Sequence, residues 1–421
     1  MPPAPTSSPL LPRERRWPWV VCAVLLFATL ISYLDRQSFS VMAPVIREEL
    51  ALDNERLGVV LSAFFFAYGA MHLFVGFFLD RFNIRWIYAL FVLLWSIAQF
   101  ATGFAQTFAA LFACRFALGV FEAAGQTGAA RIISQLFGKN DRTLANGIMM
   151  SGGSLGALLA PPLMILLHHW VGWRTGFVIL GLFGAVWVAV WLAVFRPASH
   201  HPLTLSFGKS PRPPNERWAV ILRDRRFWAC VVAAAFGIPI IHVAGAWLPT
   251  YFAQSWQLGL QTDLALYLTL IYLAFDVSLV VSGLIVRAGI RRGVPPGLAR
   301  KRVLAVAGLL MGAVAFIFAA PSVGVAVALM FLLNLGRAAF GSIFLSFNQE
   351  IAPGRVGTIA GIMGAIGAFS GSGLVYLIGQ LTTHGNFGLP FVIVGVIGVI
   401  GTAALLAVNW DADAPSSHSA L

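Results

Sequence analysis

Gly76-Phe77-Phe78-Leu79-Asp80-Arg81-Phe82-Asn83-Ile84-Arg85 sets an acid and two arginines between two apolar stretches, residues 56 to 79 and 86 to 105. Each stretch is long enough to cross a bilayer, which takes about 20 apolar residues as a helix. A short basic turn between two such stretches is a membrane hairpin with its tip at one face. The same alternation fills the rest of the chain. Its 421 residues are 59% hydrophobic and 10% charged, and the mean hydropathy is +0.83. That composition excludes a soluble globular protein and leaves no soluble domain to assign. The net charge of +12 is not one patch, because the 28 Lys and Arg recur in short clusters between apolar runs; it reports topology, and no nucleic-acid partner is expected. Cys22, Cys114 and Cys230 all lie inside apolar runs without metal-ligand spacing and read as small packing residues. The first apolar run has no small-residue cleavage site after it and is expected to be a retained helix.

Spans fall near 17 to 43, 56 to 79, 86 to 105, 108 to 131, 143 to 168 and 173 to 195, then near 227 to 251, 263 to 286, 302 to 320, 323 to 348, 356 to 380 and 388 to 409. The segment between the sets is rich in proline (Pro197, Pro202, Pro211, Pro213, Pro214) and reads as a flexible linker. The expected organisation is therefore a first six-helix bundle at 1–195, a cytoplasmic linker at 196–226 and a second bundle at 227–421. Short loops with Lys and Arg mark the cytoplasmic side. Arg13, Arg15 and Arg16 precede the first span, and the same side collects Arg81, Arg85, Arg131, Lys139, Arg142, Arg212, Arg217, Arg223, Arg225, Arg226 and the run Arg287, Arg291, Arg292, Arg300, Lys301 and Arg302. Both termini are thus expected in the cytoplasm. The halves also echo each other: Gly76-x-x-x-Asp80 with Arg85 against Gly283-x-x-x-Arg287 with Arg292, Arg115-x-x-x-Gly119 against Arg337-x-x-x-Gly341, and Gly147-Ile148-Met149 against Gly361-Ile362-Met363. Three matches in chain order at similar offsets are the mark of a duplicated unit.

The turn at 76–85 resembles the loop between the second and third helices of the major facilitator superfamily, Gly-x-x-x-Asp-Arg-x-Gly-x-Arg/Lys. It departs at Asn83, where that family has glycine, a change expected to be tolerated because Asn enters left-handed backbone conformations more readily than most residues. Gly76 permits close helix approach. Asp80 is expected to meet the positive N-terminal end of a neighbouring helix or to pair with an Arg, and with Arg81 and Arg85 it would form a gate that closes the cytoplasmic side in one state. The plain alternative is a set of ordinary positive-inside loop charges.

Further segments narrow the resemblance. Tyr33-Leu34-Asp35-Arg36 followed by Ala43-Pro44-x-Ile46, the run Arg115-x-x-x-Gly119-x-x-Glu122-Ala123, and Asn146-Gly147-x-x-x-Ser151-Gly152 leading to Ala160-Pro161-Pro162 are similar to the anion:cation symporter family. Trp173-Arg174-x-x-Phe177 and Trp247-Leu248-Pro249-Thr250-Tyr251 match as well. That branch holds bacterial hexuronate, galactonate, tartrate and phthalate permeases and is related to sialin and the vesicular glutamate transporters. The resemblance implies an all-α membrane protein of twelve transmembrane helices in two pseudo-symmetric six-helix bundles. It further implies a proton-coupled symporter of the bacterial inner membrane that imports a small organic anion by alternating access, a monomer without enzymatic activity or cofactor, with protons as the coupling ion.

Six ionisable side chains inside the spans carry the functional reading: Asp35, Arg36, Arg115, Glu122, Asp276 and Arg337. A charge in hydrocarbon costs roughly 3 kcal/mol or more, so such residues tend to face a bundle interior or a water-filled path. Arg115 and Glu122 are two helical turns apart and share a face, from which both are expected to meet Asp35-Arg36. A carboxylate beside a guanidinium stays ionised, and one that loses its partner in a drier state is pushed toward protonation. Asp35 and Glu122 are therefore the candidate proton carriers, and a static ion-pair lock is the structural alternative. Arg36 is the candidate contact for a substrate carboxylate, because its planar fork takes two oxygens and its charge is permanent. Tyr33, Tyr68 and His72 are expected to line the same cavity, with His242 a weaker candidate.

The second half is less conventional. Arg337 has no counterpart in the family pattern; either it pairs with Asp276 across the bundle, which is favoured, or it is a second positive site suited to a dicarboxylate. Sugar-acid members supply amides where Gly153 and Gly364 stand here, so few hydroxyl-reading groups remain, and Phe340, Phe344 and Phe347 are expected to line the cavity for a compact or aromatic carboxylate. The glycines of spans 5 and 11 are spaced for helix contact and belong to no phosphate loop, and His168-His169 reads as interfacial without a third metal ligand. The rival is a Spinster-like lipid or amphiphile carrier, which shares an Asp-Arg in span 1 and a Glu in span 4; Trp247-Leu248-Pro249-Thr250-Tyr251 argues against it. No nucleophile, base or metal cluster suggests an intramembrane enzyme.

Overall fold

A computed structural model describes residues 12–137, 139–195, 218–259, 262–352, 356–383 and 385–411. Among them all regular structure is helical: α1 (Pro12–Glu49), α2 (Asn54–Arg81), α3 (Ile84–Thr102), α4 (Phe108–Glu122), α5 (Ala124–Leu136), α6 (Lys139–Val194), α7 (Trp218–Arg223), α8 (Arg225–Ser255), α9 (Thr262–Arg291), α10 (Pro296–Gly312), α11 (Val323–Ile351), α12 (Val356–Leu381) and α13 (Gly388–Leu406). A 3-10 stretch, Ala313–Ala319, extends α10. Residues 196–217 of the expected linker lie outside the described residues, as do the side chains of Arg13, Arg15, Asp80, Lys139 and Arg142. The rest of the linker is the short α7 and the start of α8.

Eleven of these helical rods are long and apolar enough to cross a membrane. One of them, Leu144–Val194, has 51 residues, which as a single helix would be about 75 Å long, over twice the hydrocarbon thickness. It holds two crossings. Gly172 breaks it with φ 79 and ψ 158, a conformation that costs glycine little. Side-chain contacts fix the reversal. Cys22 Sγ donates to the Ala145 carbonyl near the start of α1, Trp173 Nε1 donates to Glu49 Oε2 at its far end, and Trp187 Nε1 reaches back to the Val24 carbonyl. Residues 144–171 and 173–194 therefore run antiparallel, and the described residues make twelve crossings.

Three buried tryptophans sit where their indole N–H finds a carbonyl, which suits a buried ring with one polar handle, while the indole N–H of buried Trp95 has no partner. Trp187 binds Val24, Trp191 binds Arg85 at 2.9 Å and Trp247 binds Val375 at 3.0 Å. Arg174 ties three elements together at one end of the molecule: its guanidinium bonds Glu49 of α1 and donates to the Ala105 carbonyl between α3 and α4 at 2.6 Å. The N-terminus of α10 is capped from the end of the chain, where Asp411 accepts from the backbone N–H of Gly297 and Leu298, the arrangement that a helix dipole favours.

Two faces can be told apart. The terminal face holds the start of α1, the α2–α3 turn and the end of α13; the far face holds the α1–α2 turn, Gly172 and the α12–α13 turn. At the far face the halves are locked. Asn54 of α2 donates to the Thr382 carbonyl of α12 at 2.7 Å and pairs amide to amide with Gln254 of α8. The Ser372 hydroxyl donates to the Ser62 carbonyl, and Glu55 accepts from Tyr376 and Gln380. Gly58 and Gly379 let the α2 and α12 backbones touch, since a Cβ on Gly58 would stand 3.0 Å from the Gly379 Cα. Toward the terminal face these contacts end: a Cβ on Gly76, Gly147, Gly283, Gly361 or Gly364 would meet nothing within 4 Å. The two halves thus close at the far face.

Candidate functional site

α1 and α4 place the charged cluster. Arg36 and Glu122 form an ion pair, Nη2 to Oε1, at 2.9 Å. The Ser32 hydroxyl donates to the same Glu122 oxygen. Ser32 and Arg36 are one helical turn apart on α1, which is why both reach one acceptor. The Arg36 guanidinium is enclosed by aromatic faces, with Tyr33 and Phe64 centroids 4.9 Å away and Tyr68 5.0 Å away, so cation–π attraction replaces part of its lost hydration. Arg36 also hydrogen-bonds the Tyr68 hydroxyl, and its side chain keeps 15% of its exposure.

Asp35 and Arg115 are assembled differently from expectation. Adjacent helical residues point about 100° apart, so Asp35 cannot share Arg36's partner. Asp35 is 1% exposed, and neither carboxylate oxygen has a hydrogen-bond partner. Arg115 is 2% exposed and lies over the rings of Phe39 at 4.7 Å and Phe64 at 4.9 Å, with Nε and Nη1 unpartnered. Asp35 and Arg115 act on each other electrostatically without contact. Of the four charges expected to pair, one pair is made and two members stand near it unpaired.

The remaining candidates fall around this centre. Gln126 Nε2 donates to the Tyr33 hydroxyl at 3.1 Å, and the Tyr33 ring fills the space a Cβ on Gly153 would take. His72 packs at a tilt against Tyr68 with centroids 4.3 Å apart and leaves Nδ1 without a partner. His242 of α8 lies 4.3 Å from the Phe65 ring. The Tyr272 hydroxyl of α9 reaches Gln37 of α1 at 3.4 Å, across the halves.

Arg337 and Asp276 do not form the favoured ion pair. Arg337 Nε donates to Asn334 one turn earlier on α11 at 2.8 Å, and its guanidinium lies 4.4 Å from the Phe275 ring. Asp276 faces the Ser154 hydroxyl of the first half. The aromatic lining is also corrected. Phe340 and Phe347 are fully buried, Phe340 stacks on Phe344 and packs on Gly237, and Phe347 stacks on Trp410 at 3.9 Å. These rings are core of the second half.

At the expected gate, Gly76 is open, Arg81 lies 5.9 Å from the Phe77 ring, and Arg85 donates to the Leu192 carbonyl at 3.4 Å. Asn83 has φ −62 and is not left-handed; its side chain accepts from the Arg85 N–H and caps α3. Asn suits the position through its side-chain oxygen, the usual helix-capping preference.

Ser32, Gln37, Gln126, Tyr272 and Asn334 escaped the sequence reading. Helical spacing was the signal: Ser32 lies four before Arg36, Gln126 four after Glu122 and Asn334 three before Arg337.

Comparison with known proteins agrees with this architecture. The Major Facilitator Superfamily model matches residues 25–375. The chain is 30% identical to a probable sulfoacetate transporter of Cupriavidus necator, over 93% of both chains. It is 27% identical to a D-galactonate transporter of Escherichia coli O6:H1 over 95% of this chain and 97% of that protein, and 24% identical to the hexuronate transporter of Escherichia coli K12 over 93% of each. Among solved structures, a bacterial homologue of the lysosomal transporter Spinster in an inward-facing, occupied conformation superposes with a TM-score of 0.74 at 18% identity, covering 93% of this chain and 97% of that one. That likeness shows the fold alone and lends the amphiphile reading no support. The relatives are transporters, not enzymes, and the protein is a multi-pass transporter embedded in the membrane. The chain belongs to the Major Facilitator Superfamily, in its anion-permease-like branch.

Proposed function

We propose that the protein imports a small organic acid together with protons, exchanging both at the Arg36–Glu122 pair. The observation that carries this reading is the position of Arg36: it holds a buried acid while its own side chain keeps 15% of its exposure. A proton on Glu122 removes its charge and releases the whole fork, which then takes a substrate carboxylate or sulfonate in two-point contact. When the anion leaves, Glu122 returns to Arg36 and the proton goes. Asp35, buried without a hydrogen bond, is the second proton carrier, because a proton there removes the cost of an unpaired buried charge. The relatives' named substrates, sulfoacetate, galactonate and hexuronate, are all anions of this chemistry.

The basic loops support a terminal face in the cytoplasm of a bacterial inner membrane, and with the halves joined at the far face this reading takes the arrangement as inward-open. Alternating access then needs the far-face lock around Asn54 to open as the terminal ends close at the gate of Gly76, Asp80, Arg81 and Arg85. Reconstituted protein tests the reading. Vesicles with an inward proton gradient should accumulate a carboxylate or sulfonate above its equilibrium level, and dissipating the gradient should abolish accumulation. Uptake that ignores the gradient, or no uptake of any organic anion, would overturn it.

A further inference from the structure

Arg337 is a buried cation that no acid contacts among the described residues, with Asp276 acting on it only at a distance. It is 6% exposed and holds no ion pair among the described residues. Its one hydrogen bond, to Asn334, uses Nε. Neither amino group is bonded, and neither is among the fully buried orphans, so both open on accessible space while the rest of the side chain is enclosed. Asp276 of α9 bonds Ser154 and acts on Arg337 electrostatically without an ion-pair contact. Leaving a buried charge uncompensated is costly, so such a group persists where something else completes it.

The space it faces is shared with the anion site. Tyr33, the ring under Arg36, is an electrostatic neighbour of Arg337 from the opposite half, beside Tyr272. Tyr272 in turn touches Gln37, the residue after Arg36. His242 lies within the field of both arginines. Arg36 and Arg337 therefore approach the same neighbours, Tyr33, Tyr272 and His242, from opposite halves.

We infer that the substrate is a dianion, with one acidic group on Arg36 of the first half and the other on Arg337 of the second. This rests on the proposed anion transport. An anion held at both ends ties the halves together, so it favours the occluded state in which both contacts are made; a monoanion leaves Arg337 uncompensated. Differential affinity of this kind is what allows a ligand to drive a conformational change.

Purified protein is titrated with matched pairs, acetate against malonate and methanesulfonate against sulfoacetate, with binding read by calorimetry. The wild type should bind the dianion of a pair at least tenfold more tightly. Arg337→Met should shrink that ratio at least tenfold, and Arg337→Lys, which keeps the charge and guards against a folding defect, should shrink it less. Equal affinity within each wild-type pair, or an unchanged ratio in Arg337→Met, overturns the dianion assignment and leaves anion transport standing. Binding of none of the four by the wild type overturns both. A third result also sinks the assignment: Arg337→Met and Asp276→Leu each lowering the melting temperature and the double variant restoring it, since Arg337 would then be half of a structural pair.

Discussion

The two halves share a fold and divide their charge unequally. In the first half every buried cation has an acid in reach: Arg36 touches Glu122, and Arg115 lies in the field of both Glu122 and Asp35. In the second half Arg337 stands among Asn334, Phe275 and Tyr272 and touches no acid; Asp276 acts on it at a distance and bonds Ser154. The halves share their helices, including the parallel placement of Arg115 and Arg337 four residues before a glycine, while an acid in contact with a buried arginine is found in the first half. An acid and a base in contact can answer to protons, and a cation without such a contact can answer to an anion that enters from outside. On the proposed function, the first half serves coupling and the second recognition.

Arg36 is where this contrast breaks most readily. Arg36→Lys keeps the charge and loses the planar fork, and anion affinity should fall well over tenfold, more than about 1.4 kcal/mol, measured by titration of the folded variant. Unchanged affinity would move the anion to Arg115 or Arg337 and reverse the division of labour. Contact between the halves comes next. Gly58→Leu puts a side chain where the Gly379 backbone lies, so transport should drop about tenfold, estimated from the 1–3 kcal/mol typical of overpacking, while a cysteine placed at Thr383 becomes more reactive as the far face is wedged open. Labelling at the wild-type rate would show that the halves do not meet there in the working cycle. The smallest effect belongs to Asn54→Ala, which removes the bonds to Gln254 and the Thr382 carbonyl. Losing about 1 kcal/mol of net hydrogen bonding should shift the closed-to-open ratio at the far face roughly fivefold, read by distance measurements between spin labels on α2 and α12. A shift of under twofold would mean that the apolar contact of Gly58 and Gly379 holds the face alone.

Most of the fold was legible because a bilayer leaves the backbone few choices. A run of about 20 apolar residues must be helical, and the break read between 168 and 173 is the positive-φ Gly172. The site was legible as a set of residues and less so as a set of contacts. Asp35-Arg36 reads as one unit in sequence, yet neighbours on a helix diverge by about 100°, and only Arg36 meets Glu122. Phe340, Phe344 and Phe347 are spaced along one helical stripe, which says that they share a face and not what the face meets; it meets Gly237 and Trp410. Asn83 was read for its backbone tolerance and serves through its side-chain cap, two roles that favour the same residue type.

The central claim, that proton and anion contend for one arginine, is tested most directly by Glu122→Gln in reconstituted vesicles. The amide keeps the shape and the contact with Ser32 but can take no proton. Substrate counterflow across the membrane should survive, and accumulation driven by a proton gradient should be lost. If Glu122→Gln and Asp35→Asn each accumulate substrate under the gradient as the wild type does, these acids do not carry the proton and the account is wrong.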